Sequence, residues 1–108
     1  MKVELLYFDG CPSHEALLPR LRALIAEEGV DAEVELRRVE TIEAAEDEGF
    51  LGSPTVRVDG RDVDPGADGR DDFGLKCRLY RSGEGTSGLP PDQWIAAALR
   101  RESARSRA

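Results

Sequence analysis

The most constraining stretch of the chain is its beginning, where a strand-like run turns directly into a helix pattern. Val3, Leu5, Leu6, Tyr7 and Phe8 form a nearly unbroken apolar run closed by Asp9-Gly10. Such a run suits a strand covered on both faces, the central position in an α/β sheet; a half-solvated strand would alternate strictly. Over 12–29, Leu17, Leu18, Leu21, Leu24 and Ile25 recur at the spacing of an amphipathic helix, and Gly29 follows in a favourable C-cap position. A buried strand feeding a helix across so short a turn commits the chain to layered α/β packing.

The rest of the pattern extends this beginning. Residues 33–39 alternate Val34, Leu36 and Arg38 with Glu35 and Arg37, which predicts a second strand. Residues 42–49 predict a short helix, capped at or before Thr41 and closed by Gly49. Val56-Arg57-Val58, Asp59-Gly60 and Arg61-Asp62-Val63 read as a tight hairpin. Six glycines between residues 65 and 88 predict a long loop, interrupted by an apolar patch at Leu75, Cys77, Leu79 and Tyr80. Pro90-Pro91-Asp92 opens a last helix to about Arg101, with Trp94, Ile95, Ala98 and Leu99 on one face. The order β-α-β-α-β-β-α predicts an α/β fold: a four-stranded mixed sheet flanked by helices, with parallel strands across the first crossover and an antiparallel hairpin. One domain is expected over residues 1–102, with 65–88 as a Gly-rich insertion and 103–108 as a disordered tail.

Composition narrows the function. With 108 residues and 40% apolar side chains, there is material for one core. The formal net charge of −7 argues against nucleic acid and against an anionic membrane surface as partners. No apolar run is long enough for a membrane helix, and the N-terminus reads as a strand and not as a signal peptide, so a cytoplasmic location is expected. Arg100, Arg101, Arg105 and Arg107 read as a solvated terminus. Asp62, Asp64, Asp68, Asp71 and Asp72 do not follow the calcium-loop spacing and read as a solvated loop. Two cysteines and one histidine are too few for a typical structural zinc site, so no metal or other cofactor is expected.

Chemistry concentrates at Cys11-Pro12-Ser13-His14. Cys11 follows the buried strand and abuts the helix start, where free N–H groups and the positive end of the helix dipole favour a thiolate. His14, one turn in, either stabilises that thiolate or serves as a base for an incoming thiol; its plainer reading is an exposed first-turn residue. Ser13 either reaches the sulfur or caps the helix. Pro19 falls inside the helix, where it removes a hydrogen bond and a kink is expected. Cys77 is either a second working thiol or a core residue of the short apolar patch.

Together with Ser53-Pro54-Thr55 ahead of a strand, these features resemble the thioredoxin-like superfamily. The resemblance covers roughly residues 2–64 and the last helix. Leu6-Tyr7-Phe8-Asp9-Gly10-Cys11-Pro12 and Gly74-Leu75-Lys76-Cys77-Arg78-Leu79-Tyr80 are similar to a small group of bacterial thioredoxin-like proteins. Some of that group carry the label alkylmercury lyase, which the implied fold does not itself support. The resemblance implies that Pro54 is cis and lies beside Cys11. It departs from the family's C-x-x-C pattern, because His14 stands where the second cysteine would be. Cys11 therefore works with an outside thiol or with Cys77. A Cys11–Cys77 bridge would close a loop of roughly 66 residues and contribute about 4 kcal/mol on the chain-entropy estimate.

The expected function is thiol-disulfide chemistry by Cys11, with Cys77 and His14 as further catalytic candidates. Pro12, Ser13, Ser53, Pro54 and Thr55 are the substrate-binding candidates, shaping a groove where a substrate pairs as an extended strand. The partner is a thiol or disulfide, protein or small molecule. Two other readings stand beside this one. The first is soft-metal or organomercurial binding by Cys11 and Cys77. The second is a non-catalytic module on the same fold.

Overall fold

A computed structural model describes residues 1–83 and 85–106, Ser106 by its backbone alone. The element order is β1 (Lys2–Tyr7), α1 (Ser13–Glu28), β2 (Glu33–Arg38), α2 (Ile42–Glu48), β3 (Thr55–Val58), β4 (Arg61–Asp62), β5 (Tyr80–Ser82), β6 (Gly85–Ser87) and α3 (Asp92–Ser106). The main sheet runs β2-β1-β3-β4. β1 pairs parallel with β2, Val3 opposite Val34, and antiparallel with β3, Val3 opposite Val58. β3 and β4 close the Asp59-Gly60 hairpin. This is an α/β architecture with a four-stranded mixed sheet and three helices.

The apolar opening strand is central because both of its faces are covered. On one face Val3 and Leu5 pack with Leu17, Leu21 and Leu24 of α1, Val56 and Val58 of β3, and Ile95, Ala98 and Leu99 of α3. On the other, Leu6 packs with Val39, Ala45 and Phe50 around α2. Glu4 faces this second side and is buried, but Arg37 reaches it at 2.6 Å and also holds Glu48 at 2.5 Å. A buried carboxylate is tolerable when it is paired in this way.

Local signals act as their chemistry requires. Thr41 caps α2 by accepting from the Ala44 N–H at 3.0 Å, and Gly29 and Gly49 take left-handed conformations that close α1 and α2. Pro19 lies inside α1, which continues through it from Ser13 to Glu28. No helix among the described residues is long and apolar enough to cross a membrane.

Three expectations need correction. The helix opening at Asp92 runs through Ser106, not to about Arg101, so 103–106 are helical; residues 107 and 108, with Arg107, lie outside the described residues. Within that helix Glu102 is buried, and on its exposed side Arg100 pairs with Glu28 at 2.7 Å. The 65–88 segment is not an unstructured loop. It carries the β5–β6 hairpin, Tyr80 opposite Ser87, and a parallel bridge between Cys77 and Ser53. Three of the five acids read as a solvated loop are instead paired: Asp62 and Asp64 with Arg78, and Asp72 with Arg70 and Lys76.

Candidate functional site

The turn after β1 sets the position of Cys11. Its N–H donates to the Phe8 carbonyl at 3.2 Å, and Pro12, not Cys11, is the N-cap of α1. Cys11 is therefore one residue outside the helix, only 2% exposed, with its sulfur against the first turn. The Ser13 side chain does not cap the helix; its Oγ lies 3.6 Å from the Cys11 Sγ, and its backbone N–H also points to the sulfur. From across the sheet, the Ser53 carbonyl oxygen lies 3.5 Å from the same sulfur. The Ser53–Pro54 peptide is cis.

Burial alone would push the Cys11 pKa up, since a thiolate loses solvent there. Hydrogen bonds from the Cys77 thiol, from the Ser13 backbone and hydroxyl, and from Ser53 outweigh burial and lower it. Cys77 moves the other way: it is raised because its proton is used by Cys11, with desolvation and the Cys11 charge adding to the effect. Both cysteines are free, Cys11 buried and Cys77 exposed. The two shifts favour the charge on the inner sulfur and the proton on the outer one, and Ser53, bridged to Cys77 and with its carbonyl 3.5 Å from the Cys11 sulfur, links the two residues. The core reading of Cys77 is thus set aside, since its side chain is not packed inside.

The segment carrying Cys77 is fastened firmly. Ser53 N–H donates to the Lys76 carbonyl at 2.8 Å, and Arg78 N–H donates to the Ser53 carbonyl at 2.9 Å. Arg78, whose side chain is 1% exposed, lies with its guanidinium 4.4 Å over the Tyr80 ring. It donates to Asp62 at 2.7 Å, to Asp64 at 3.2 Å and to the Thr55 hydroxyl at 3.1 Å. Tyr80 OH in turn donates to the Pro54 carbonyl at 2.5 Å. Gly52 makes the close approach possible. Its φ is +124°, and a Cβ there would sit 3.0 Å from the Lys76 carbonyl oxygen and from the Arg78 Cβ.

The substrate-binding candidates therefore divide. Pro12 is exposed and Ser13 half-buried at the mouth of the site. Ser53, Pro54 and Thr55 are buried; the Ser53 backbone N–H and carbonyl, the Pro54 carbonyl and the Thr55 hydroxyl are engaged, whereas the Ser53 hydroxyl has no hydrogen-bond partner among the described residues. Thr55 pairs with Leu6 in the sheet, and its hydroxyl donates to the Gly52 carbonyl at 2.6 Å. The open groove expected beside Pro54 is filled by residues 76–78 of the chain itself.

His14 is turned toward the backbone of the turn. Its Nδ1 lies 3.1 Å from the Cys11 carbonyl oxygen, so that nitrogen carries the proton and donates. Its ring stacks on Tyr7, centroids 4.0 Å apart at 17°. The residue braces the turn behind Cys11, and it is not among the groups that lower the sulfur's pKa.

Arg78 and Gly52 were not singled out from sequence. An Arg-Leu-Tyr triplet inside a glycine-rich stretch gives no local sign of burial. The acids at 62 and 64 were the available signal, since two carboxylates ahead of a short apolar strand call for a cation. No family model matches the chain, and neither a curated protein nor a solved structure gives a significant match.

Proposed function

We propose that the chain is a thiol redox protein on a thioredoxin-like topology, cycling between a Cys11–Cys77 dithiol and the corresponding disulfide. The observation that carries this reading is the placement of the pair: Ser53 forms a bridge with Cys77 while its carbonyl lies 3.5 Å from the Cys11 sulfur, and both cysteines are free, Cys11 buried and Cys77 exposed; a lowered Cys11 pKa and a raised Cys77 pKa agree with it. The helix N-terminus, the cis Ser53–Pro54 peptide beside the sulfur and the β2-β1-β3-β4 order support the topology. A reducing compartment such as the cytoplasm suits two free cysteines.

In the first step the Cys11 thiolate attacks one sulfur of a disulfide RSSR. A Cys11–SR bond forms and RS⁻ leaves. Cys77 then gives up its proton and attacks the Cys11 sulfur, forming the Cys11–Cys77 bond and expelling the second RS⁻. The substrate gains two electrons and the protein loses two; an external thiol restores the dithiol. In a dithiothreitol-coupled disulfide reduction assay, the Cys11→Ser variant is expected to fall to the uncatalysed rate. Cys77→Ser is expected to accumulate a mixed disulfide on Cys11. Undiminished turnover by Cys11→Ser would overturn the proposal.

The convergence of two sulfurs also favours a second reading, capture of a soft cation such as Cu⁺ or Hg²⁺ by two thiolates. Among the described residues no group of three or more His, Cys, Asp or Glu side chains is placed to add further ligands. Native mass spectrometry would support this reading only if metal binding needed both Cys11 and Cys77.

A further inference from the structure

An extended peptide can dock beside Cys11 only where a backbone N–H and C=O are free to pair. Neither is available. The Ser53 N–H and C=O are both used by residues 76 and 78, and β3 is paired on both edges, by β1 and by β4. The segment that blocks this edge is held by a buried arginine bound to two aspartates.

The pair is reached instead from the Cys77 side. A cleft of about 470 Å³ opens there, with Cys77 in its wall. Arg70, Lys76, Arg78 and Arg81 face two acids, Asp64 and Asp72, across it. Arg70 and Lys76 share Asp72, and Arg78 is bound to Asp62 and Asp64. Arg81 has no ion-pair partner among the described residues and is exposed. In a chain of net charge −7, this cleft is a local excess of positive charge beside an exposed thiol. Such a concavity concentrates small anions and raises their rate of encounter.

We infer that the cleft beside Cys77 receives a small thiol or disulfide carrying carboxylates, and that this compound exchanges with the pair through the Cys77 sulfur. The inference rests on the redox reading above and names its external partner. In the oxidised protein an incoming RS⁻ attacks the Cys77 sulfur. The Cys11–Cys77 bond breaks and its electron pair leaves on Cys11, the sulfur better able to hold it. A second RS⁻ attacks the RS sulfur of the mixed disulfide, forming RSSR and releasing Cys77, which takes one proton from water. Two RS⁻, one proton and the protein disulfide thus give RSSR, the Cys11 thiolate and the Cys77 thiol.

The test is reduction of the oxidised 108-residue chain by glutathione, 2-mercaptoethanol and cysteamine, which are anionic, neutral and cationic. Each rate is divided by that thiol's rate with a free reference disulfide at equal thiolate concentration. Glutathione is expected to exceed cysteamine by about tenfold at low salt, with the gap closing as ionic strength rises. Arg81→Glu is expected to narrow that ratio several-fold. Equal normalised rates for the three thiols, or a ratio insensitive to salt and to Arg81→Glu, would overturn the inference and leave the redox reading standing. A chain that forms no Cys11–Cys77 bridge under oxidant would overturn both.

Discussion

At the scale of single residues, a few neighbouring groups act on one sulfur and lower the Cys11 pKa against its burial. Cys11 is buried, which works against the thiolate, and the Cys77 thiol is the first of the donors that reverse this. Replacing Cys77 by Ala removes that donor and keeps Ser13 and Ser53, so the Cys11 pKa is expected to rise. Thiolate ultraviolet absorbance followed against pH reads this directly; an unchanged titration would show that Cys77 does not act on Cys11. Stability follows the same pair. A lowered Cys11 pKa contributes stability that is full above the ordinary thiol value and is lost as pH falls through the folded value. A raised Cys77 pKa contributes stability that is full below the ordinary thiol value and is lost as pH rises through its folded value. The two contributions together are greatest around the ordinary thiol pKa, and Cys77→Ala removes the alkaline limit. The cysteine, its place ahead of a helix and the neighbouring Ser53-Pro54 were all legible in sequence. The role of His14 was not, because its spacing from Cys11 puts it on the same helical turn whether the ring faces the sulfur or the backbone carbonyl.

At the scale of elements, the segment 76–78 decides what the site can accept. Alternation of Leu75, Cys77 and Leu79 suggested that these side chains share an inner face, yet Cys77 and Leu79 are exposed while Arg78 and Tyr80 point inward. An arginine takes the inner place because two aspartates and an aromatic ring meet it there, a long-range arrangement that periodicity cannot register. The strands and helices whose signals are local, β1, α1, β2, α2 and the Asp59-Gly60 hairpin, were legible for the opposite reason. Arg78→Met would leave Asp62 and Asp64 without their cation. Removing one partner of a buried ion pair costs about 3–5 kcal/mol, and the lower end applies because both carboxylates keep some solvent contact. Denaturant unfolding of the variant is expected to show that loss. A change within a few tenths of a kcal/mol would mean that Arg78 does not anchor the segment.

At the scale of the whole molecule, the sheet brings together two stretches far apart in sequence. β1 delivers Cys11 to the start of α1, and the chain between β4 and α3 returns across the Ser53-Pro54 turn to place Cys77 against it. On the redox reading proposed above, this closure would let Cys77 do what a second cysteine at position 14 would do. The central claim is therefore that, once an outside disulfide or oxidant has reacted at one of the two sulfurs, the other cysteine of the same chain completes the bridge before a second outside thiol does. The most direct measurement is intact mass and proteolytic mapping of the reduced chain after one equivalent of a mild thiol oxidant. The account predicts a monomer lighter by two hydrogens, with the peptides carrying Cys11 and Cys77 joined. Cysteines that remain free, end in separate adducts or link different chains would contradict it.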